Sequence, residues 1–529
     1  MVASAQARAH SFFISAFERA FERDYFLHGL HTYTPLWTMI NVIRAFRIRS
    51  SRVPYHAGVV AFAATLTACA TNPVSGRREL SLISQAQEID MGRGASAGDV
   101  QRVGELAGGE AQALVKRIGA EMAAKSERPG LPWEFHLLDD AAVNAFAYPG
   151  GFIFVTRGLM THLNSEAELA EVIGHEIGHV TAKHTVAAMS KQQITQIGLV
   201  GASILSPQVA KFGDVLGASA SLLFLKFGRE DELQADALGF KYSLGLSYDV
   251  RESPKVFATL GRLSGASGAR VPEWQSTHPD PGNRVQRAEQ RIAALPPNSL
   301  TSVKVNRDSY LRLLDGMVFG ENPRQGYFRA ARFLHPDLRF EMTFPTGWKT
   351  ANMPDAVVGQ SADGGAQMQL VPGKGTPTES MQQFLGQQGI TVKQRGNTTI
   401  NGISAVMASF DAATEQGTLN GLVASLQHRN VTYVLIGISA AQAAARNMPV
   451  LEATMRSFRD LNDPALINVQ PAKVQLITVP EAMTAQTFSQ RYPSSVPAEL
   501  LYIINGVEAT TNIPRGALVK RVVGGLPPQ

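Results

Sequence analysis

The sequence predicts an α+β protein made of a mainly helical unit with a small sheet, then an α/β sandwich, then a small β-α-α-β module. Three observations support this prediction. At 529 residues the chain is too long for one hydrophobic core. Apolar residues recur with a helical period through most of the first half, and strand-like alternation dominates beyond residue 330. A composition change over 296–330, from "PPNSL" to "GENPRQG", separates the two halves.

These changes divide the chain into five segments. They are a signal region over 1–68, a first unit over 69–295, a linker over 296–330, an α/β accessory unit over 331–462 and a module over 470–527.

Within the first unit, we expect a helix over 110–124 and a strand in "WEFHLLDD". A second strand is expected over Phe152–Thr156, after the turn "YPGG". The next helix begins near Ser165, where Ser165 and Glu168 form a predicted capping box.

The accessory unit shows the period-two alternation that is typical of half-buried strands. The expected strands lie at 366–371, 403–410, 418–427 and 431–439, and the expected helices at 378–388 and 441–457.

The positive charge of the chain is concentrated at its start. Residues 1–68 carry seven arginines and three acidic residues, which account for +4 of the net charge of +5. Because the remainder is close to neutral, the charge distribution gives no basis for nucleic-acid binding.

The single cysteine, Cys69, ends the run "AGVVAFAATLTAC". An arginine-rich segment, an apolar segment too short to span a bilayer, and "LTAC" follow one another as in a bacterial lipoprotein signal. Cleavage before Cys69 would free its amine and thiol for acylation, and several acyl chains anchor a protein stably. We therefore expect Cys69 to be lipidated; a small buried cysteine is the alternative. The proportions favour a start at Met39, so residues 1–38 are assigned no function.

The segment "AELAEVIGHEIGHVTAKH" (167–184) carries His175 and His179 one helical turn apart. On a helix these side chains point the same way, so both imidazoles can bind one tetrahedral ion. Glu176 lies beside them, within reach of a metal-bound water. Zinc would acidify that water and polarise a peptide carbonyl, while Glu176 would pass the proton to the leaving amine. An apolar helix with core histidines is the alternative, and a third ligand would distinguish the two.

The third ligand has a nearby and a distant candidate. His184 follows His179 by five residues and faces away unless the helix breaks, so we expect it at the surface or at the helix end. In "EDELQAD", Glu232 and Asp236 share one helical face. Glu232 can bind the metal, and Asp236 can accept the outer N–H of a liganding histidine. The alternative is an acidic helix start favoured by the helix dipole.

These segments, together with "NPVSGRRELSLIS" and "NAFAYPGGFIFVTRGLM", resemble the gluzincin metallopeptidase family of the HtpX proteases and type I CAAX prenyl endopeptidases, which includes many periplasmic lipoprotein proteases. The resemblance covers about 75–295 and implies a zincin catalytic domain with a small edge sheet. The implied site holds one zinc ion per chain through two histidines and a glutamate, with a second glutamate as general base and acid and an aspartate behind a ligand: His175, His179, Glu232, Glu176 and Asp236.

Two further elements gain a role from this resemblance. The segment "GGFIFVTRGL" is similar to the family's active-site edge strand, which can pair with an extended substrate; an ordinary core strand is the alternative. His278 and Arg284, in "THPDPGNR", match a loop that approaches the metal in relatives. They would bind the oxyanion or gate the site, unless they only cap a helix.

The segment from 474 to 523 resembles a LysM module, because its expected order is strand, helix, helix, strand. Modules of this kind commonly bind glycans that contain N-acetylglucosamine. The resemblance therefore implies peptidoglycan as a further partner.

The sequence thus predicts a lipid-anchored, periplasm-facing zinc metalloendopeptidase that acts on unfolded, misfolded or misassembled cell-envelope proteins. Ala70 follows Cys69 where an aspartate would favour inner-membrane retention, so anchoring in the outer membrane is expected. Two alternatives stay open. One is a chaperone or assembly factor with a gated, weakly proteolytic zinc site, and the other is a peptidoglycan-bound structural module.

Overall fold

The computed structural model describes residues 69–106, 109–200, 227–265, 278, 283–414 and 417–526. The predicted signal region over 1–68 lies outside these residues. The predicted mixture is confirmed: a helical region that contains the candidate site is followed by a large sheet region. Within the part of the chain that the structure describes, no helix has the length and apolarity needed to span a bilayer.

Helices make up most of the described residues between 69 and 314. They are α1 (Gln85–Val103), α2 (Glu110–Ala123), α3 (Arg157–His162), α4 (Glu166–Thr181), α5 (His184–Val200), α6 (Arg229–Gly245), α7 (Ser253–Gly265), α8 (Arg284–Ala293) and α9 (Arg307–Leu314). The bounds of α2 confirm the helix predicted over 110–124.

Two small sheets accompany these helices. Strands β1 (Cys69–Thr71) and β2 (Arg78–Leu80) form a hairpin, and β3 (Glu134–Leu138), β4 (Ala145–Tyr148) and β5 (Phe152–Thr156) form a three-stranded sheet in the order β3-β5-β4. The expectation that "GGFIFVTRGL" supplies the edge strand is wrong. Strand β5 is central, since β3 pairs with it in parallel and β4 in antiparallel. All five of its residues are buried, and β4 lies at an edge.

Helix α4 is buried along its whole length and begins at the predicted position. The hydroxyl of Ser165 accepts the N–H of Glu168 at 3.1 Å, as a capping box requires. The reciprocal bond differs from the prediction, because the Glu168 carboxylate accepts the N–H of Asn164 at 2.6 Å rather than that of Ser165. The first turn of α4 is therefore tied to the residue that precedes its cap.

Helices α4 and α6 pack so closely that their backbones are in contact. A methyl group added at Gly174 would lie 3.0 Å from the Cα of Gly239, and one added at Gly178 would lie 3.2 Å from the Cα of Ala235. Glycines one residue before each histidine of α4 therefore allow α6 to approach, and this approach brings the two helices' polar residues together.

The accessory region is built on a seven-stranded sheet and a four-stranded sheet. The strands are β6 (Tyr327–Arg329), β7 (Arg332–His335), β8 (Phe340–Thr343), β9 (Lys349–Asn352), β10 (Val357–Gln360), β11 (Ala366–Pro372), β12 (Ile390–Ile400), β13 (Ile403–Thr414), β14 (Gly417–His428), β15 (Val431–Ala440) and β16 (Arg459–Asp460). Their order is β12-β13-β14-β15-β11-β10-β9 in the larger sheet and β16-β8-β7-β6 in the smaller one. The helices are α10 (Pro377–Leu385), α11 (Ala444–Arg456) and α12 (Pro464–Ile467).

The four strands and two helices predicted for this region are confirmed as β11, β13, β14, β15, α10 and α11. Buried residues of α10 and α11 belong to two separate apolar clusters, so each helix covers one face of the large sheet. The placement of the domain boundary near residue 331 stays a prediction.

The C-terminal segment has the predicted order of strand, helix, helix and strand, with two short extra strands. Its elements are β17 (Ala472–Thr478), β18 (Met483–Thr484), α13 (Ala485–Arg491), α14 (Ala498–Ile504), β19 (Asn512–Ile513) and β20 (Leu518–Gly524). Phe488, Ile504 and Val522 of this segment share one apolar core with Leu169 and Ile173 of α4. The resemblance to a LysM module stays a prediction.

The close approach of α4 and α6 leads to a stability prediction. We expect Gly239→Val to lower the free energy of unfolding by about 1–3 kcal/mol, because its methyl groups would be forced into the backbone of α4. The comparison variant is Gly261→Ala in α7, where an added methyl group would have no atom within 4 Å. It should raise the free energy of unfolding by about 0.5–1 kcal/mol. Urea denaturation followed by circular dichroism measures both. A Gly239→Val protein as stable as the parent would show that the two helices are not tightly packed.

Candidate metal centre

The two histidines of α4 point to a common centre. The Nε2 atoms of His175 and His179 lie 3.0 Å apart, and both rings are almost fully buried. This is the arrangement expected for residues one turn apart on a helix. Their imidazoles can therefore share a ligand.

Helix α6 brings the predicted carboxylate to the same point. Glu232 is fully buried, with Oε1 3.6 Å from His179 Nε2 and Oε2 3.5 Å from His175 Nε2. Two segments more than fifty residues apart in sequence are thus united by the contact between α4 and α6.

His278 joins the cluster as a fourth donor. Its Nδ1 lies 3.3 Å from His175 Nε2 and 3.0 Å from Glu232 Oε1, and its ring is buried. One donor atom from each of His175, His179, Glu232 and His278 lies within 4.8 Å of every other. The sequence singled out His278 as an oxyanion or gating residue, and the structure places it at the distance of a ligand.

The donor set fits a tetrahedral metal ion. Ligand distances of about 2.0–2.2 Å separate the ligand atoms of a tetrahedral zinc site by about 3.3–3.6 Å. The five separations given above run from 3.0 to 3.6 Å, measured to Oε2 of Glu232 for His175 and to Oε1 for the other two histidines. Glu232 Oε2 is buried and has no hydrogen-bond partner among the described residues, which is costly unless a cation binds it.

Burial keeps the histidine donors in the neutral form that a metal requires, whereas it acts against ionisation of Glu232. It lowers the pKa of His175, lowers that of His278 to about 4 and, with the neighbouring histidines, lowers that of His179 well below its ordinary value. Burial raises the pKa of Glu232 to about 7. The imidazoles are therefore neutral at pH 7, with lone pairs free for a cation.

Asp236 and Arg284 lie behind His175 rather than within the cluster. His175 Nδ1 donates to Asp236 Oδ1 at 3.0 Å, which leaves the Nε2 lone pair facing the centre. Arg284 Nε donates to Asp236 Oδ2 at 3.0 Å. Burial raises the pKa of Asp236, but the charge of Arg284 and the bonds from both partners outweigh it and lower that pKa. Asp236 therefore stays ionised against His175.

The expectation that His184 lies at the surface is wrong, because its side chain is buried and the helix breaks before it. Helix α4 ends at Thr181, Lys183 adopts a left-handed conformation with φ of 60°, and His184 opens α5. This break turns the His184 ring back, so that its Nδ1 lies 2.9 Å from His179 Nδ1. Asn72 Nδ2 holds the break by donating to the carbonyl of Ala182 at 3.0 Å.

Gln234 completes this arrangement and was not singled out from the sequence. Its Oε1 accepts the Nε2–H of His184 at 2.9 Å, so the Nδ1 of His184 is an acceptor. His179 Nδ1 must then donate, which leaves the His179 Nε2 lone pair facing the centre. The only sequence signal for this contact is that Gln234 follows Glu232 by two residues. A single glutamine at that spacing does not predict a hydrogen bond to a histidine.

Glu176 lies at the border of the cluster. Its side chain is buried, and its Oε1 is 3.6 Å from His278 Nε2. The structure thus brings together His175, His179, Glu232, His278 and Glu176, and sets Asp236 and Arg284 behind them.

The hydrogen bond between His184 and His179 leads to a prediction. We expect His184→Phe to weaken metal binding about 10- to 100-fold, because the orientation and proton position of the His179 ring are lost. His335→Phe, at a ring packed against Phe340 in the accessory region, is the control and should bind as the parent does. Titration against a metal-chelating dye measures both affinities. Equal affinity in the two variants would exclude this role for His184.

Comparison with known proteins shows what this region is similar to. Residues 110–292 match the family model described as peptidase family M48. Over 165 residues the chain is 36% identical to the mitochondrial metalloendopeptidase OMA1 of Arabidopsis thaliana, which covers 31% of this chain and 32% of that protein. Over 207 residues it is 29% identical to the β-barrel assembly-enhancing protease of Escherichia coli, which covers 37% of this chain and 41% of that protein.

The chain thus matches less than half the length of either relative. Among solved structures, the cyanobacterial PsbP protein of Synechocystis aligns at 12% identity over 25% of this chain and 94% of that one, with a TM-score of 0.22. Residues 110–292 are thus similar to peptidase family M48 and to proteins named metalloendopeptidase and β-barrel assembly-enhancing protease.

Proposed function

We propose that this protein is a zinc-dependent endopeptidase that hydrolyses peptide bonds in misfolded or misassembled cell-envelope proteins. The observation that carries the proposal is the convergence of the donor atoms of His175, His179 and Glu232, with the Glu176 carboxylate 3.6 Å from His278 of the same cluster. A family match alone would be compatible with an inactive site. A complete donor set with an adjacent carboxylate supports turnover.

The proposed division of labour assigns the ligand positions to His175, His179 and Glu232. A bound zinc ion would acidify a water and polarise the scissile carbonyl. Glu176 would receive a proton from the attacking water and deliver it to the leaving amine. Asp236 and Arg284 would hold His175 from behind, and for that reason we assign Arg284 a role in orientation rather than in oxyanion binding.

The substrate chain is proposed to bind at the edge of the three-stranded sheet. Strand β4 lies at that edge and packs against α4. An extended peptide that added to β4 would run beside the helix that carries Glu176. This mode needs an unfolded or locally unpaired substrate, which agrees with a role on misfolded or misassembled proteins.

His278 supports a gated site. A zinc site that hydrolyses peptides keeps one ligand position open, whereas His278 brings a fourth donor into the cluster. We propose that His278 closes the site in this conformation and withdraws when substrate enters. The same observation favours the second candidate function, a chaperone or assembly factor that cleaves weakly because its site is closed.

The cellular setting is proposed from the sequence and the relatives. Cys69 would carry the lipid anchor, in a periplasm-facing protein attached to the outer membrane, and the C-terminal module would bind peptidoglycan. The E. coli relative is named a β-barrel assembly-enhancing protease, which supports substrates among assembling envelope proteins.

Replacing the proposed base tests the chemistry. We expect Glu176→Gln to retain one zinc ion per chain and to lower the turnover of casein about 10²- to 10⁴-fold, because the amide cannot accept the proton. Glu230→Gln, an exposed position in the first turn of α6, is the control and should cleave as the parent does. Metal analysis and casein hydrolysis are measured on the same samples. Unchanged turnover in Glu176→Gln would refute this role.

Removing the fourth donor tests the gate. We expect His278→Ala to raise casein turnover, because it frees a ligand position while His175, His179 and Glu232 remain. Initial rates at equal zinc occupancy are the measurement. A lower rate than the parent's would instead assign His278 to transition-state binding and reject the gate.

A further inference from the structure

A lysine of the C-terminal module is buried against the start of the active-site helix. Lys520, on β20, has no exposed surface. Its Nζ donates to the carbonyl of Thr161 at 3.0 Å and to that of Leu163 at 2.8 Å. These carbonyls lie in the last turn of α3 and in the residue after it, and only Asn164 separates them from Ser165, which caps α4.

The backbone of Lys520 is itself fixed. The Asn505 side chain accepts the N–H of Lys520 and donates to its carbonyl, each at 2.9 Å. The same amide donates to the carbonyl of Leu501 in α14. Lys520 is therefore held by hydrogen bonds at both its backbone and its side chain, and it connects the C-terminal module to the α3–α4 junction.

The module makes further hydrogen bonds with the segment from 307 to 319, which lies in the predicted linker. Gly316 N–H donates to the carbonyl of Val474 at 2.8 Å, and Phe319 N–H donates to that of Ala472 at 2.8 Å. Arg307 donates to the carbonyl of Leu518 at 2.9 Å, two residues before Lys520. The module is thus bonded to the linker and shares an apolar core with the helix that carries the site.

A buried cation is costly unless its hydrogen bonds are satisfied and an opposite charge lies near. Lys520 meets the first condition through the two carbonyls. Glu168, in the first turn of α4, is the nearby opposite charge. Burial raises the pKa of Glu168 to about 7 and lowers that of Lys520 to about 7, and the charge of each group opposes the shift in the other. Both partners of this pair are connected to the start of α4: Glu168 lies on the helix, and Lys520 binds the turn before it.

We propose that Lys520 is a positioning residue for α4, the helix that carries the site. We also propose that the C-terminal module is packed into the same folded unit as α4 and is not a separate binding domain. The expected loss of catalytic rate rests on the proposed function. The expected loosening of the start of α4 rests only on the contacts of Lys520. Losing the Nζ bonds would leave two buried carbonyls unpaired and release the turn that sets where α4 begins. The displacement would be transmitted along α4 to Glu176 and both histidines.

The test compares Lys520→Met with Lys473→Met in the full chain. Methionine keeps the length of the lysine side chain without its donors, and Lys473 is an exposed residue on β17, the strand paired with β20. Casein kinetics, zinc affinity and amide hydrogen exchange are measured on both variants, at a temperature where circular dichroism shows each to be folded.

We expect Lys520→Met to lower kcat about 10- to 100-fold with little change in KM, because misplacement of catalytic groups affects the reacting geometry more than substrate binding. Hydrogen exchange should accelerate over 163–169 while protection in the accessory sheet stays as in the parent. Lys473→Met should match the parent in all three measurements. Asn505→Ala keeps the Lys520 amine but removes the hydrogen bonds that hold the backbone of β20. It should change kcat and hydrogen exchange in the same direction by a smaller amount, and it replaces Lys520→Met if that variant does not fold.

Parental kcat and parental exchange over 163–169 in folded Lys520→Met would overturn the inference. Equal loss of protection throughout the chain would also overturn it, since that result shows general destabilisation. If the parent protein itself binds zinc but cleaves nothing, the proposed function fails, and hydrogen exchange and zinc affinity still decide the role of Lys520.

Discussion

The backbone contact between Gly174 and Gly239 is the constraint on which the rest of the site depends. Helix α4 carries two imidazoles and a carboxylate, and α6 carries the carboxylate that completes the donor set. A side chain at either glycine would push the helices apart. Separations of 3.5 and 3.6 Å between Glu232 and the two histidines leave no room for such a displacement. The packing of small residues therefore decides whether the chemistry is available.

Both histidines of α4 are also held from behind, so their rings are oriented before any ion binds. Asp236 fixes His175, and Arg284 fixes Asp236. His184 fixes His179, and Gln234 fixes His184 in turn. Such outer contacts orient metal ligands and set which ring nitrogen carries the proton. The C-terminal module extends the same principle outwards, because Lys520 holds the turn that precedes α4.

Local patterns in the sequence predicted the residues of the site better than their arrangement. The spacing of His175 and His179 follows from helical geometry, and so does the pairing of Glu232 with Asp236. The accessory strands β11, β13, β14 and β15 were predicted because alternating burial leaves a period of two. Strand β12 escaped prediction, since most of its residues are exposed and no face of it is consistently apolar.

The errors concern features that no short segment encodes. The order β3-β5-β4 depends on pairing between strands, and a strand that is central in one order is an edge in another. The helix break at Lys183 carries no glycine or proline signal, so the return of His184 to the site was not foreseen. Nothing in the local sequence distinguishes Lys520 from other strand lysines. Its contact with Thr161, which is 359 residues away in sequence, is visible only in the tertiary structure.

The most direct test of the account is an anomalous-diffraction measurement at the zinc edge on crystals of the full protein. The account predicts one strong peak, about 2.0–2.2 Å from His175 Nε2, His179 Nε2 and a carboxylate oxygen of Glu232. A metal peak that touches neither histidine, or a structure in which Glu232 lies beyond reach of both rings, would contradict it.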